Sequence, residues 1–179
     1  MVHVDPDVRT IIDPKERFEE LFRTHILAVR AYVGRAWSSL DCEDIVSMTF
    51  EVAWRRRDVV DVDAPRGWLI GIARNCALNQ LRASRRRTDH LAMLRHERFR
   101  SATQLFDTSV PNETVEALRL SLATLKPSDQ EVLLLSAWGG LVGEDLGAAL
   151  GISGSTAAVR LFRARERLQN AFHSKIGSA

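Results

Sequence analysis

Two arginine-bearing stretches hold most of the residues in this chain that could do chemistry. Residues 64–88 contain Arg66, Arg74, Arg82, Arg85, Arg86 and Arg87 and no acid, a net charge of +6. Residues 151–179 contain Arg160, Arg163, Arg165, Arg167 and Lys175 against one acid, a net charge of +4. Between and before them the chain is acidic or balanced: −4 over residues 1–63, zero over 89–112 and −4 over 113–150. The overall +2 conceals this alternation. A guanidinium is always charged, releases condensed counterions when it meets a phosphate, and can read guanine with two parallel hydrogen bonds. Asn75 and Asn79, four apart, fall on one helix face and can hydrogen-bond base edges; Ser155 and Thr156 can anchor phosphates. Two basic segments in an otherwise acidic chain point to two contacts with a polyanion.

The elements that must position these residues read as helices throughout. In residues 142–168, Leu146 and Leu150 are spaced for burial and Gly151 supplies a left-handed exit. Ile152 pins the turn, Ser153 or Ser155 can cap the next helix, and that helix carries the four arginines. Helix, glycine turn, basic helix is the order of a helix-turn-helix, whose second helix enters the major groove. Upstream, Asp13-Pro14-Lys15-Glu16 starts a helix whose stripe of Phe18, Leu21, Phe22, Ile26, Val29 and Val33 runs to about Trp37. A second helix from Asp41 is expected to bury Val46, Thr49, Phe50, Ala53 and Trp54, with Glu43, Asp44, Ser47, Met48 and Glu51 outside. A third, from Pro65, buries Trp68, Leu69, Ile72 and Cys76 before it enters the arginine run. Past Asn112 one helix ends at Lys126-Pro127, another is capped by Ser128 or Asp129, and Gly139-Gly140 breaks it.

These patterns predict an all-α protein of two small helical domains joined by a linker, the second containing the helix-turn-helix. The boundaries are a flexible N-terminus over 1–12, a first domain over 13–87, a linker over 88–112 with room for a helix inside it, and a second domain over 113–175. Catalysis is not expected: no Gly-rich phosphate loop follows a strand, there is no HExxH, and no Ser or Cys is set beside a plausible His. Cys42 and Cys76 form no CxxC pair, so no metal site and no cofactor are expected, and a reducing cytoplasm suits them. No apolar run approaches the ~18–20 residues of a membrane span, and the N-terminus has no signal-peptide pattern.

With both modules placed, the chain resembles the extracytoplasmic-function group of bacterial sigma-70 family sigma factors, over roughly residues 16–173. The resemblance rests on Asp41-Cys42-Glu43-Asp44-Ile45-Val46-Ser47-Met48-Thr49-Phe50 closing at Ala53-Trp54, on Trp68 through Asn79, on Leu125-Lys126-Pro127, and on the helix-turn-helix. It implies that Glu43, Asp44, Ser47, Met48 and Glu51 face core RNA polymerase. It implies that Arg74, Asn75, Asn79, Arg82, Arg85, Arg86 and Arg87 hold and read a melted −10 strand. It implies that Ser155, Thr156, Ala158, Val159, Arg160, Phe162 and Arg163 read the −35 duplex, and that an anti-sigma factor is a further partner. The loop at 58–65 lies where the family captures a flipped base, and its Val59 and Val60 stack poorly. The chain departs from the family pattern at Ser47, Met48, Gly143, Ala158 and Val159, which leaves the −35 bases open. Two readings compete: a stand-alone helix-turn-helix regulator on a palindrome, which leaves the 41–54 and 68–87 blocks without a purpose, and a helical interaction protein with incidental basic ends.

Overall fold

Asp13 accepts a hydrogen bond from the Lys15 backbone N–H at 3.0 Å, Pro14 occupies the first turn, and α1 (Pro14–Ala36) begins there. In the same way Asp41 accepts from the Asp44 N–H at 3.1 Å and opens α2 (Cys42–Arg55). Both caps satisfy backbone donors that a helix start leaves without a partner. The structure is a computed structural model that describes residues 13–37, 39–57, 63–87 and 113–176, excluding the side chains of residues 85–87 and 176. The expected flexible N-terminus, the loop at 58–62 and the linker at 88–112 lie outside the described residues.

The remaining helices are α3 (Pro65–Arg87), α4 (Glu113–Thr124), α5 (Pro127–Gly139), α6 (Gly143–Leu150) and α7 (Gly154–Ile176). Every element among the described residues is helical, and α6 and α7 form the helix-turn-helix. In the first bundle α1, α2 and α3 bury Leu21, Val29, Val33, Ile45, Phe50, Leu69, Ile72 and Cys76. Thr49, also buried, donates its hydroxyl to the Ile45 carbonyl at 2.6 Å, so that hydroxyl is not stranded in the core. Trp54, expected inside, is 38% exposed. Its ring packs edge-on against Phe18 at 5.0 Å, and the Arg57 guanidinium lies 4.4 Å from its centroid, so one face is covered by aromatic carbon and a cation.

The second bundle is stapled by polar groups that the sequence assigned elsewhere. Neither Ser128 nor Asp129 caps α5: Lys126 holds the N-cap position and supplies no side-chain bond. Asp129 is buried, and both its carboxylate oxygens accept from Arg167 Nη1 at 2.9 Å. Burial against α7 wins because an unpaired carboxylate there would bear the whole desolvation cost. Gln130 Nε2 donates to the carbonyls of Leu122 (3.0 Å) and Leu125 (2.8 Å) and so closes the α4–α5 turn. Gly140 (φ 63°) and Gly151 (φ 69°) end α5 and α6 in the left-handed conformation.

The two bundles lie directly against each other, α3 on α6 and α1 on α5. Their buried apolar residues form one continuous cluster, from Val29 and Leu69 to Leu135, Leu141 and Leu146.

Gly147 decides how tightly the helix-turn-helix closes. A Cβ there would stand 2.7 Å from the Ile152 carbonyl oxygen and 2.8 Å from the Gly154 nitrogen, both backbone atoms that cannot rotate away. Gly147→Ala gains about 1 kcal/mol of intrinsic helix propensity and loses about 1–3 kcal/mol to overpacking. The expected outcome is a lower urea midpoint by circular dichroism; an unchanged or higher midpoint would mean that the turn can widen without cost.

Candidate nucleic-acid interface

α7 divides cleanly along its length. Ala157, Leu161 and Ala164 are buried at helical spacing, and Leu168 continues the row. Ser155, Thr156, Ala158, Val159, Arg160, Phe162 and Arg163, all predicted to read duplex, lie on the exposed side. Phe162 is 63% and Val159 50% exposed, apolar groups turned to water where thymine methyls could cover them. Ser153 caps the helix: its hydroxyl accepts from the Thr156 N–H at 3.3 Å and lies 2.8 Å from the Thr156 hydroxyl. The other two arginines of this helix have partners. Arg165 reaches Ser136 Oγ at 3.4 Å, and Arg167 holds Asp129.

On α3, Asn75, Asn79 and Arg82 succeed one another at four and three residues and are all exposed. Asn79 Oδ1 accepts from Arg82 Nη1 at 3.1 Å, which leaves its amide nitrogen directed by that bond. Arg85, Arg86 and Arg87 continue the helix. Arg74 differs from its neighbours. It pairs with Glu131 of α5 across the junction of the bundles, both side chains only about a fifth exposed, and it donates to Asn75 Oδ1 at 3.1 Å.

A third surface is carried by α2. Asp44, Ser47, Met48 and Glu51 recur at three, four and seven and form an exposed stripe, with Glu43 beside it. Glu43 is held by Arg30, Nε to Oε1 at 2.8 Å and Nη2 to Oε2 at 2.9 Å, and Glu51 pairs with Arg55. Next to the stripe Phe22 stacks edge-on against Phe50 at 4.7 Å and stays 38% exposed, so the acidic row borders aromatic carbon.

Sequence reasoning missed the residues between the bundles. Gly67 N–H donates to Asp145 Oδ1 at 2.8 Å, joining the first turn of α3 to α6. His25, Arg66 and Asp145 share this region. Where α1 meets α5, a small open cleft is lined by Tyr32, Trp37, Arg74, Glu131 and Trp138. The signal was present as Gly67 and Gly71, four apart on α3, the spacing that lets a second helix come close. Among the described residues no cluster of acids, histidines or cysteines could hold a metal, and no helix is long and apolar enough to cross a membrane. Burial raises the Cys76 and Cys42 thiols above their ordinary value, which disfavours the thiolate.

This arrangement has counterparts among known proteins. Residues 21–87 match the family described as Sigma-70 region 2, and residues 115–168 match Sigma-70, region 4. The chain is 31% identical over 161 residues to the RNA polymerase sigma factor CarQ of Myxococcus xanthus, covering 87% of this chain and 88% of that protein. It is similar to CnrH in its complex with the cytosolic domain of CnrY, with 25% identity, a TM-score of 0.55 and coverage of 89% and 90% of the two chains. In fold it is also similar to RpoE in complex with the anti-sigma factor NepR from Bartonella quintana, with 24% identity, a TM-score of 0.54 and coverage of 87% and 96%.

Burial pushes the His25 imidazole below its ordinary value, Arg66 adds to the effect, and Asp145 opposes it. The packed form therefore binds fewer protons at His25 than the unfolded chain does. A destabilising contribution appears as pH falls below about 6.5 and is complete below the lowered value. Between about pH 7.5 and 5.5 the thermal midpoint of His25→Gln should fall less than that of the native chain. Equal slopes in a differential scan would show that His25 is not the group responsible.

Proposed function

Because the chain belongs to the sigma-70 family of RNA polymerase sigma factors, in its extracytoplasmic-function group, we propose a division of labour among its three exposed surfaces. The protein is a sigma factor that directs promoter recognition in transcription initiation. α7 reads the −35 duplex: Arg160 and Arg163 meet phosphates or guanine, Ser155 and Thr156 anchor the backbone, and Val159 and Phe162 meet thymine methyls, with Ala158 allowing close approach. α3 holds the melted −10 strand, Asn75 and Asn79 on base edges and Arg82, Arg85, Arg86 and Arg87 on phosphates, with Arg74 joining them once Glu131 lets go. The stripe of Asp44, Ser47, Met48 and Glu51, with Glu43, docks on core polymerase. The observation that carries this reading is the exposed row on α7 opposite a fully buried one.

The protein acts in the cytoplasm, carries no cofactor and catalyses nothing itself; it directs an enzyme. CnrH and RpoE were each seen with a partner, CnrY and the anti-sigma factor NepR. We extend that to this chain as an anti-sigma type of partner. A stand-alone regulator would need only the second bundle and gives the α2 stripe no task.

Reversing charge with Asp44→Arg and Glu51→Arg together sets like against like at the docking surface. It should weaken core polymerase binding by about tenfold or more with helical content unchanged. Unaltered affinity in a pull-down titration removes the docking assignment. Asn75→Ala should reduce open-complex formation by roughly ten- to hundredfold, the cost of one lost base contact of about 1–3 kcal/mol. The defect should persist on a pre-melted bubble; full rescue by the bubble would assign Asn75 to strand opening instead of base reading.

A further inference from the structure

The two acids that open α6 turn opposite ways. Asp145 reaches to α3, accepting from the Gly67 N–H at 2.8 Å. Glu144, in the same first turn, lies over the start of α7. A Cβ at Gly154 would collide with both of its carboxylate oxygens, the farther of them 2.8 Å away. Glycine at that position leaves the carboxylate room, and Gly154 is itself buried. Glu144 stays exposed to solvent, and among the described residues its side chain has neither an ion pair nor a hydrogen bond. By contrast Glu43, Glu51 and Glu116 each hold an arginine.

The position of this unpaired charge matters because α7 is the helix assigned to duplex DNA, and the inference rests on that reading. A recognition helix presents its N-terminal residues to the groove. Its first N–H groups have no acceptor within the helix, and together with the dipole they make a seat for a phosphate. Hydroxyls gather at the same place, with Ser153 Oγ 3.2 Å from Ser155 Oγ and 2.8 Å from Thr156 Oγ1. The Glu144 carboxylate is favoured there by the dipole and repels a phosphate that approaches the same amides. We propose that Glu144 is a specificity-determining residue of −35 recognition: it keeps the start of α7 from capturing phosphates and leaves binding to base contacts. Phosphate contacts supply nearly all of non-specific binding, so the repulsion falls hardest on sequences that offer nothing else. The correct element offsets the loss through Val159, Arg160, Phe162 and Arg163, and a wrong one does not.

The experiment titrates the full-length chain against two short duplexes. One carries the upstream element shared by promoters that the chain uses with core polymerase, and the other carries that sequence shuffled. Glu144→Gln keeps the shape of the side chain and removes its charge. It should bind the shuffled duplex about three- to tenfold more tightly and the matched duplex more tightly by a smaller factor. On the shuffled duplex the slope of log affinity against log salt should steepen by about one unit, the mark of one added phosphate contact. A purely structural role for Glu144 would leave that slope where it is. Glu16→Gln removes the same charge from an exposed site on α1 and should change neither affinity. Equal gains on the two duplexes, an unchanged slope, weaker binding by Glu144→Gln, or a matching gain from Glu16→Gln overturns the proposal. A native chain that directs no start site with core polymerase overturns the sigma-factor reading instead.

Discussion

The α6 backbone rests against α3 at a point where one Cβ would stand 1.9 Å from a carbonyl oxygen. That approach exists because residue 67 is glycine, and it sets the placement of the other contacts along the seam. It brings Asp145 to the first turn of α3, Ala149 to Gly71 and Glu131 within reach of Arg74. It also merges two small cores into one. A bundle of some sixty or seventy residues buries a limited share of its surface and is marginal alone, so a shared core adds stability to both halves. The same gain resists their separation.

Charge on this molecule is sorted by task. Arg167 and Arg74 are paired with Asp129 and Glu131, acids that are mostly buried, so removal of either arginine would leave a carboxylate without its partner in a largely desolvated site. Arg160 and Arg163 face outward beside Val159 and Phe162, an exposed combination of cation and apolar carbon suited to a groove with phosphate walls and thymine methyls. The acids show the same division. Those of α2 form a stripe on the surface of the first bundle, while Asp129, Glu131 and Asp145 hold helices together.

Most of the helices can be read from the sequence because their signals are local. Asp13, Asp41 and Ser153 cap where their positions predict, Gly151 adopts the left-handed exit expected of it, and the break expected at Gly139-Gly140 takes the form of a left-handed Gly140. The exposed row on α7 is legible for the same reason: apolar spacing on one helix fixes which face is buried. The features that escape depend on partners distant in the chain. Asp129 reads as a helix cap until Arg167, 38 residues on, is known to reach it. Arg74 reads as a phosphate ligand until Glu131 faces it. At Gly147 the turn that follows leaves no space for a side chain, a constraint set by backbone that folds back on it. Periodicity places Trp54 inside, but α1 covers only one side of its ring.

The most direct test of promoter recognition by this chain is run-off transcription with purified core polymerase on a library of genomic promoter fragments. Adding the chain should yield discrete start sites whose upstream sequences share two elements at one fixed spacing, and neither protein alone should do so. Starts without a shared pair of elements, or tight binding of the chain alone to a single palindrome with no effect on core polymerase, would contradict it.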